Sequence, residues 1–85
     1  MLKYIAVFKS LSSATKVKGQ FVYPRRPETI KTPKTLSGGC SYSLVFPDTL
    51  LEQMKKIVSK NQTGFLGIYR MLDNATFEAV SDDLS

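Results

Sequence analysis

The sequence has no histidine, no tryptophan and a single cysteine among its 85 residues. Histidine is the commonest general base near neutral pH, so Ser-His-Asp and Cys-His hydrolase arrangements cannot be built within this chain. One cysteine excludes an internal disulfide and, without histidine, nearly every zinc, haem or iron–sulfur ligand pattern. We therefore expect no metal and no cofactor, and a carrier or binding protein rather than a self-sufficient enzyme.

Long apolar runs are also lacking, and none approaches the roughly 20 residues that a membrane-spanning helix needs. The first residues, MLKYI, do not resemble a charged leader followed by a long apolar stretch and a small-residue cleavage site. We therefore expect a cytoplasmic protein with no membrane association. A hydrophobic content of 42% and a charged content of 22% are typical of a folded domain. A chain of this length predicts one domain with a small core.

The charges are distributed unevenly along the chain, whose formal net charge is +5. Residues 1–72 hold all 12 Lys and Arg residues and only three acidic ones, whereas residues 73–85 hold four acidic residues and no basic one. We interpret 1–72 as a single α+β domain and 73–85 as an acidic C-terminal tail. The tail is either a loose, solubilising terminus or a segment that covers the basic surface and competes with an anionic partner.

The residue pattern predicts four strands and two helices. β-branched and aromatic residues concentrate in four segments: Leu2–Phe8, Glu28–Thr32, Cys40–Phe46 and Phe65–Leu72. Apolar residues recur at helical spacing after Ser10 and again after Pro47, with Asp48 as the expected cap of the second helix. The order β-α-β-β-α-β predicts a ferredoxin-like sandwich, in which two helices cover one face of a four-stranded antiparallel sheet.

The other face of such a sheet would be open, and small domains often dimerise or bind through it. Tyr4, Tyr42 and Tyr69 lie on three of the predicted strands. We expect them to serve the core or a homodimer interface rather than a ligand platform.

Several segments carry a resemblance to a known family. They are the opening YIAVFKS, Ala14 in the first helix, the loop TPKTLSGGC, the strand YSLVF and the GIY at 67–69. Together they resemble the selenium/sulfur (Se/S) carrier-like family of small bacterial proteins, over residues 3–72. The resemblance implies that Cys40 carries a persulfide or selenopersulfide, exchanged with sulfur- or selenium-donating and accepting proteins. The Cys-Pro-x-Pro motif of small sulfur relay proteins is absent, because Ser41 follows Cys40.

The turn before Cys40 suits this chemistry. Sulfur transfer needs a thiolate, and a free thiol with a pKa of about 8.5 is mostly protonated at neutral pH. Ser37, Gly38 and Gly39 precede Cys40, and the two glycines can aim consecutive backbone N–H groups at one point. Such a turn would stabilise the thiolate and the anionic terminal sulfur of a persulfide.

Basic residues near Cys40 in the sequence would add to this effect, since positive charge favours the ionised thiol. The nearest is Lys34, with Lys31, Arg25 and Arg26 further upstream. The Arg25-Arg26 pair, which lies between two prolines, is more typical of a solvated loop than of an anion site.

The residues leave other functions open. Cys40 could be a small apolar residue at the start of a buried strand, and Gly38-Gly39 a simple turn. A small basic domain could also bind RNA or a protein partner, because its charge attracts phosphate without any motif. RNA-recognition strands carry aromatic residues where this chain has Ser41 and Ser43, which makes RNA a poor fit. A dimeric interaction domain with no covalent chemistry is the remaining alternative.

Overall fold

The structure is a computed structural model that describes residues 3–22, 25–34, 36, 41–60, 64–72 and 76–80. It has an α+β fold with a five-stranded antiparallel sheet and two helices. The strands are β1 Lys3–Phe8, β2 Glu28–Lys31, β3 Tyr42–Pro47, β4 Phe65–Met71 and β5 Phe77–Ala79. The helices are α1 Leu11–Lys18 and α2 Leu51–Lys60, and a short 3-10 helix, Asp48–Leu50, leads into α2.

The strand order is β2-β3-β1-β4-β5, and every neighbouring pair is antiparallel. The prediction of four strands is wrong, because β5 forms inside the segment that the sequence presented as a tail. The backbone N–H of Val80 also donates to the carbonyl of Ile68 at 2.9 Å, just beyond β5. A three-residue strand is too short to give a periodic signal. The order with its additional edge strand does not confirm the predicted ferredoxin-like arrangement.

The core lies between the helices and one face of the sheet. Alternate residues of β1 point to that face, and both helices contribute buried residues to the same cluster. The ring of Tyr4 stacks on that of Phe46 with 5.9 Å between centroids. The largest fully buried side chains of this cluster are Phe8, Phe21, Phe46, Leu44, Met54 and Ile68. Truncating a buried Phe to Ala typically costs about 3–5 kcal/mol, so this layer dominates the stability of so small a domain.

The opposite face of the sheet carries the other residues of β1, Ile5 and Val7. The register places Ile5 opposite Tyr69 and Val7 opposite Gly67. Tyr69 therefore lies on the face away from the helices, whereas Tyr4 and Tyr42 pack on the helix side. The three tyrosines do not share one surface, and Tyr4 serves the core.

The two helices begin in different ways. Ser10 caps α1, and its Oγ accepts a hydrogen bond from the N–H of Ser13 at 3.2 Å. The prediction of Asp48 as the cap of the second helix is wrong: extended Pro47 precedes the 3-10 helix, and Asp48 is the first residue inside it.

Neither helix in the described part of the chain is long and apolar enough to span a membrane.

The connections bring different termini to the two ends of the sheet. One end collects the carboxyl ends of β1 and β2, the amino ends of β3 and β4, the start of α1 and the end of α2. The opposite end holds Lys3, Glu28, Pro47 and Met71, together with the end of α1 and the start of α2. This division decides which predicted site residues can meet.

Candidate functional site

The predicted turn Ser37, Gly38, Gly39 and Cys40 lies outside the described residues. Ser41, the residue after Cys40, is described and is only 5% exposed. The candidate site is therefore built from Ser41 and the residues around it.

Ser41 lies at the end of the sheet between two other chain segments. The N–H of Thr32 donates to the carbonyl of Ser41 at 3.1 Å, which continues the β2–β3 ladder one pair beyond Lys31 and Tyr42. On its other side, the last β1–β3 pair is Phe8 with Tyr42, and Lys9 and Ser41 are the residues that directly follow β1 and precede β3. Residues distant in sequence thus converge beside the neighbour of Cys40.

A cluster of buried hydroxyl groups surrounds this position. Thr32, Ser41 and Ser43 are 6%, 5% and 0% exposed. The hydroxyls of Thr32 and Ser43 share a hydrogen bond of 2.6 Å. The hydroxyl of Ser41 has no hydrogen-bond partner among the described residues. Because an unpartnered buried hydroxyl costs about 1–3 kcal/mol, Ser41 is a polar group that packing alone does not account for.

Four lysines lie at the same end of the sheet. Lys31 pairs with Tyr42 near the end of β2, and Lys34 follows it after Pro33. Lys9 follows β1, and Lys60 ends α2. All four are exposed, and we call Lys9, Lys31, Lys34 and Lys60 the basic end. Lys31 and Lys34 thus lie at the same end of the sheet as Ser41, together with Lys9 and Lys60, and a role for Lys34 at Cys40 stays a prediction.

Arg25 and Arg26 lie toward the opposite end. They precede Glu28, which pairs with Val45, and the four residues of β2 separate them from Thr32 by roughly 13 Å. The Nε of Arg26 donates to the carbonyl of Phe21 at 3.0 Å. The structure does not bring these arginines together with Ser41, because the extended strand carries them away.

The described carboxylates avoid the basic end. Glu28 starts β2, and Asp48 and Glu52 lie at the start of α2. Glu78 on β5 hydrogen-bonds and pairs with Arg70, and this raises the pKa of Arg70 above its usual value, chiefly through the hydrogen bond. No carboxylate among the described residues pairs with a lysine of the basic end.

The start of α1 lies at this end as well. Its N–H groups and its dipole present positive partial charge there. The N–H of Lys9 donates to the carbonyl of Gly64 at 2.7 Å, and Ser10 Oγ donates to Ser13 Oγ at 3.1 Å. Sequence reasoning missed Lys9 and the start of α1. The signal that could have found them is the antiparallel register of β1 and β3, which is not a feature of local sequence.

This arrangement can attract and hold negative charge. The described part of the chain has no group of three or more His, Cys, Asp or Glu residues placed to bind a metal. The end of the sheet where Ser41 follows Cys40 has lysine side chains, buried hydroxyl groups and the start of α1. These features suit a nucleophile that reacts as an anion.

Comparisons with known proteins agree with the sequence pattern in one respect. A family model described as "Putative Se/S carrier protein-like" matches residues 3–70, which is most of the chain. The matched range contains every lysine of the basic end, and Cys40 lies within it. Neither the search of the curated proteins nor that of the solved structures found a match. On the strength of the family model, the chain belongs to the Se/S carrier protein-like family.

Proposed function

We propose that the protein carries sulfur or selenium as a persulfide or selenopersulfide on Cys40. The observation that carries this proposal is the family match over residues 3–70, within which Cys40 is the only thiol. A carrier needs a nucleophile and partners that load and unload it, but no general base of its own. The lack of histidine is therefore compatible with this function.

The transfer step needs no external oxidant. The Cys40 thiolate attacks the terminal sulfur of a persulfide on the donor protein. A sulfur–sulfur bond forms at Cys40, the sulfur–sulfur bond of the donor breaks, and its electron pair leaves with the donor thiolate. Attack by an acceptor thiolate on the terminal sulfur of Cys40 reverses the process. With selenium, the bonds that form and break are sulfur–selenium bonds.

The surroundings of Ser41 support this role for its neighbour. Positive charge favours both a thiolate and the anionic end of a persulfide. We assign that charge to Lys34, with Lys31 and Lys9, rather than to Arg25 and Arg26. Ser37, Gly38 and Gly39 remain the proposed anion-stabilising turn.

The finer description of the fold is also a proposal. We propose that β1 to β4 and the two helices form a ferredoxin-like sandwich to which β5 is added. The order β2-β3-β1-β4 within the sheet supports it, as does the single core to which both helices contribute. A cytoplasmic location remains a prediction, consistent with a free thiol that works in a reducing compartment.

Intact mass spectrometry tests the carrier function. The reduced full chain is incubated with a low-molecular-weight persulfide donor, desalted and weighed. We expect a gain of one sulfur atom that is removed by a reducing thiol and absent in Cys40→Ser. Ser41→Ala, which keeps the thiol, should still gain sulfur.

Alkylation of the native protein supplies the opposing outcome. A thiol that reacts with iodoacetamide only after unfolding, and never gains sulfur, would mean that Cys40 is a packing residue. The function would then belong to a binding module for RNA or protein, or to a dimeric interaction domain.

A further inference from the structure

The basic end carries charge spread over several elements. Its four lysines lie after β1, in and after β2, and at the end of α2. Strands β2 to β4 span three inter-strand steps in the order β2-β3-β1-β4, a width of roughly 15 Å. That width matches a contact with a macromolecule better than a contact with one small anion.

Two exposed leucines lie at the same end. Leu11 opens α1 and is 47% exposed, and Leu66, near the start of β4, is 50% exposed. The β1–β4 register shifts between Val7 and Phe8, so Leu66 has no partner residue on β1. Such a bulge re-aims the side chain that it carries. Exposed apolar residues with charged residues around them are typical of protein interfaces.

The described arginines and aromatic residues do not favour nucleic acid as the occupant. Arginine suits phosphate recognition better than lysine, and Arg25, Arg26 and Arg70 all lie away from the basic end. Binding of single strands also needs exposed aromatic rings on which bases stack, and the tyrosines are divided between the two faces of the sheet.

We propose that the basic end, with Leu11 and Leu66, is the docking surface for an acidic patch on the protein that exchanges sulfur or selenium with Cys40. This inference rests on the proposed carrier function. The lysines steer the encounter and set its orientation, and the two leucines supply the apolar anchors. Docking here brings the partner to the end of the sheet where Ser41 follows Cys40.

An NMR titration of the reduced full chain tests the location. The probe is a short peptide of glutamates flanking two leucines, and an oligothymidylate of equal charge is titrated separately. We expect amide shifts from the peptide to concentrate at Lys9–Ser13, Lys31–Thr32 and Gly64–Leu66. Equal shifts at Lys3 and Lys16, or tighter binding of the oligothymidylate at the basic end, would overturn the proposal.

Two charge-matched variants separate a specific surface from net charge. One replaces the lysines of the basic end: Lys9→Gln, Lys31→Gln, Lys34→Gln and Lys60→Gln. The other removes four charges from the opposite end: Lys3→Gln, Lys16→Gln, Lys18→Gln and Arg25→Gln. We expect the first to weaken peptide binding about tenfold and the second by less than about twofold. Equal losses in the two variants would show attraction by net charge alone and overturn the proposal.

The persulfide assay distinguishes this inference from the function on which it rests. Because the small donor needs no docking, the basic-end variant should still gain one sulfur atom at the end point. A gain of sulfur without peptide binding at the basic end overturns the docking surface and leaves the carrier function standing. Peptide binding without any gain of sulfur overturns the carrier function and leaves only a binding surface.

Discussion

The charged side chains are paired differently at the two ends of the sheet. At the end opposite to the basic end, Glu52 Oε2 lies 3.9 Å from Lys55 Nζ, and Arg26 Nε donates a hydrogen bond to the carbonyl of Phe21. At the basic end, by contrast, four exposed lysines have no carboxylate partner among the described residues. Like charges gathered without partners repel one another and weaken the fold slightly. This difference in charge is what the proposed docking surface at the basic end is built on, because stability alone would favour mixing the signs.

Buried groups differ between the same two regions. Toward the opposite end, the stacked rings of Tyr4 and Phe46 fill the core with apolar contacts. Beside the basic end, Thr32, Ser41 and Ser43 bury hydroxyl groups, one of them without a partner in the described part of the chain. Buried polar groups of this kind add little to the stability of the fold, but their hydrogen bonds fix the positions of the side chains that make them. The comparison therefore predicts that substitutions of hydroxyl-bearing residues and of Gly64 at the basic end cost more stability than matched polar or glycine substitutions outside the core toward the opposite end.

Two glycines near the ends of α1 give the largest expected contrast. Gly64 has a φ of +75°, and a Cβ there would overlap Ser13 Oγ. Gly19, after the other end of α1, has a φ of −64°, and its added Cβ would lie 3.4 Å from the nearest atom. We expect Gly64→Ala to lower the free energy of unfolding by about 2–3 kcal/mol. Gly19→Ala should change it by about +0.5 kcal/mol, because it restricts the unfolded chain.

Urea unfolding of both variants makes this measurement, and Ser13→Ala is the control. Combined with Gly64→Ala, it should recover part of the loss, since the overlap with the hydroxyl disappears while the positive φ remains. Equal losses at Gly64 and Gly19 would contradict the difference between the two ends.

The next largest effect on the free energy of unfolding is expected at the hydrogen-bonded hydroxyls of Thr32 and Ser43, beside the basic end. Thr32→Val leaves the fully buried Ser43 hydroxyl without its described partner, and we expect a loss of about 1–2 kcal/mol. The hydroxyl of Thr29, nearer the opposite end of β2, accepts a long hydrogen bond of 3.5 Å from Lys18 Nζ, so Thr29→Val should cost less than about 0.5 kcal/mol. Thermal unfolding compares the two variants.

A double-mutant cycle sharpens this comparison. Because Ser43→Ala removes the other half of the pair, the double variant with Thr32→Val should lose less stability than the two single variants together. Additive losses would mean that the 2.6 Å contact does not contribute to stability.

Local patterns were sufficient for much of the fold. The apolar run in β1, the serines before α1 and the stripe on α2 each predict their element, and the structure has all three. β5 could not be predicted in this way, since its three residues are held by pairing with β4 rather than by their own pattern. Asp48 was wrongly expected to be a cap, because the extended residue before the 3-10 helix is Pro47.

The candidate site shows the same limit. Arg25 and Arg26 were chosen for their closeness in sequence to Cys40, yet β2 carries them toward the opposite end. Lys9 was overlooked because it is distant in sequence, although β1 and β3 pair up to Phe8 and Tyr42, the residues next to Lys9 and Ser41. Local sequence predicts elements well, but long-range pairing decides which charges meet. The role of Cys40, Ser37, Gly38 and Gly39 stays a prediction.

The starts of the two helices provide a smaller test. Ser10 caps α1 through the N–H of Ser13, so Ser10→Ala should lower the free energy of unfolding by about 1 kcal/mol. At the start of α2, Asp48 contributes through the helix dipole, and Asp48→Asn should cost about 0.3 kcal/mol. Urea unfolding at low salt measures both, and a larger loss for Asp48→Asn would reverse the comparison.

The smallest expected effect concerns single lysines and the reactivity of Cys40. Removing one exposed charge near a thiolate changes its interaction with an anion by about 0.2–1 kcal/mol. We therefore expect Lys34→Gln to slow the reaction of Cys40 with an anionic aromatic disulfide about twofold, relative to a neutral dipyridyl disulfide. Lys16→Gln, at the other end of α1, removes the same charge and should leave the ratio of the two rates unchanged. Added salt should erase the difference between the two variants. If Lys34→Gln and Lys16→Gln changed the ratio of the two rates equally, Cys40 would respond only to the net charge of the protein and not to the position of Lys34.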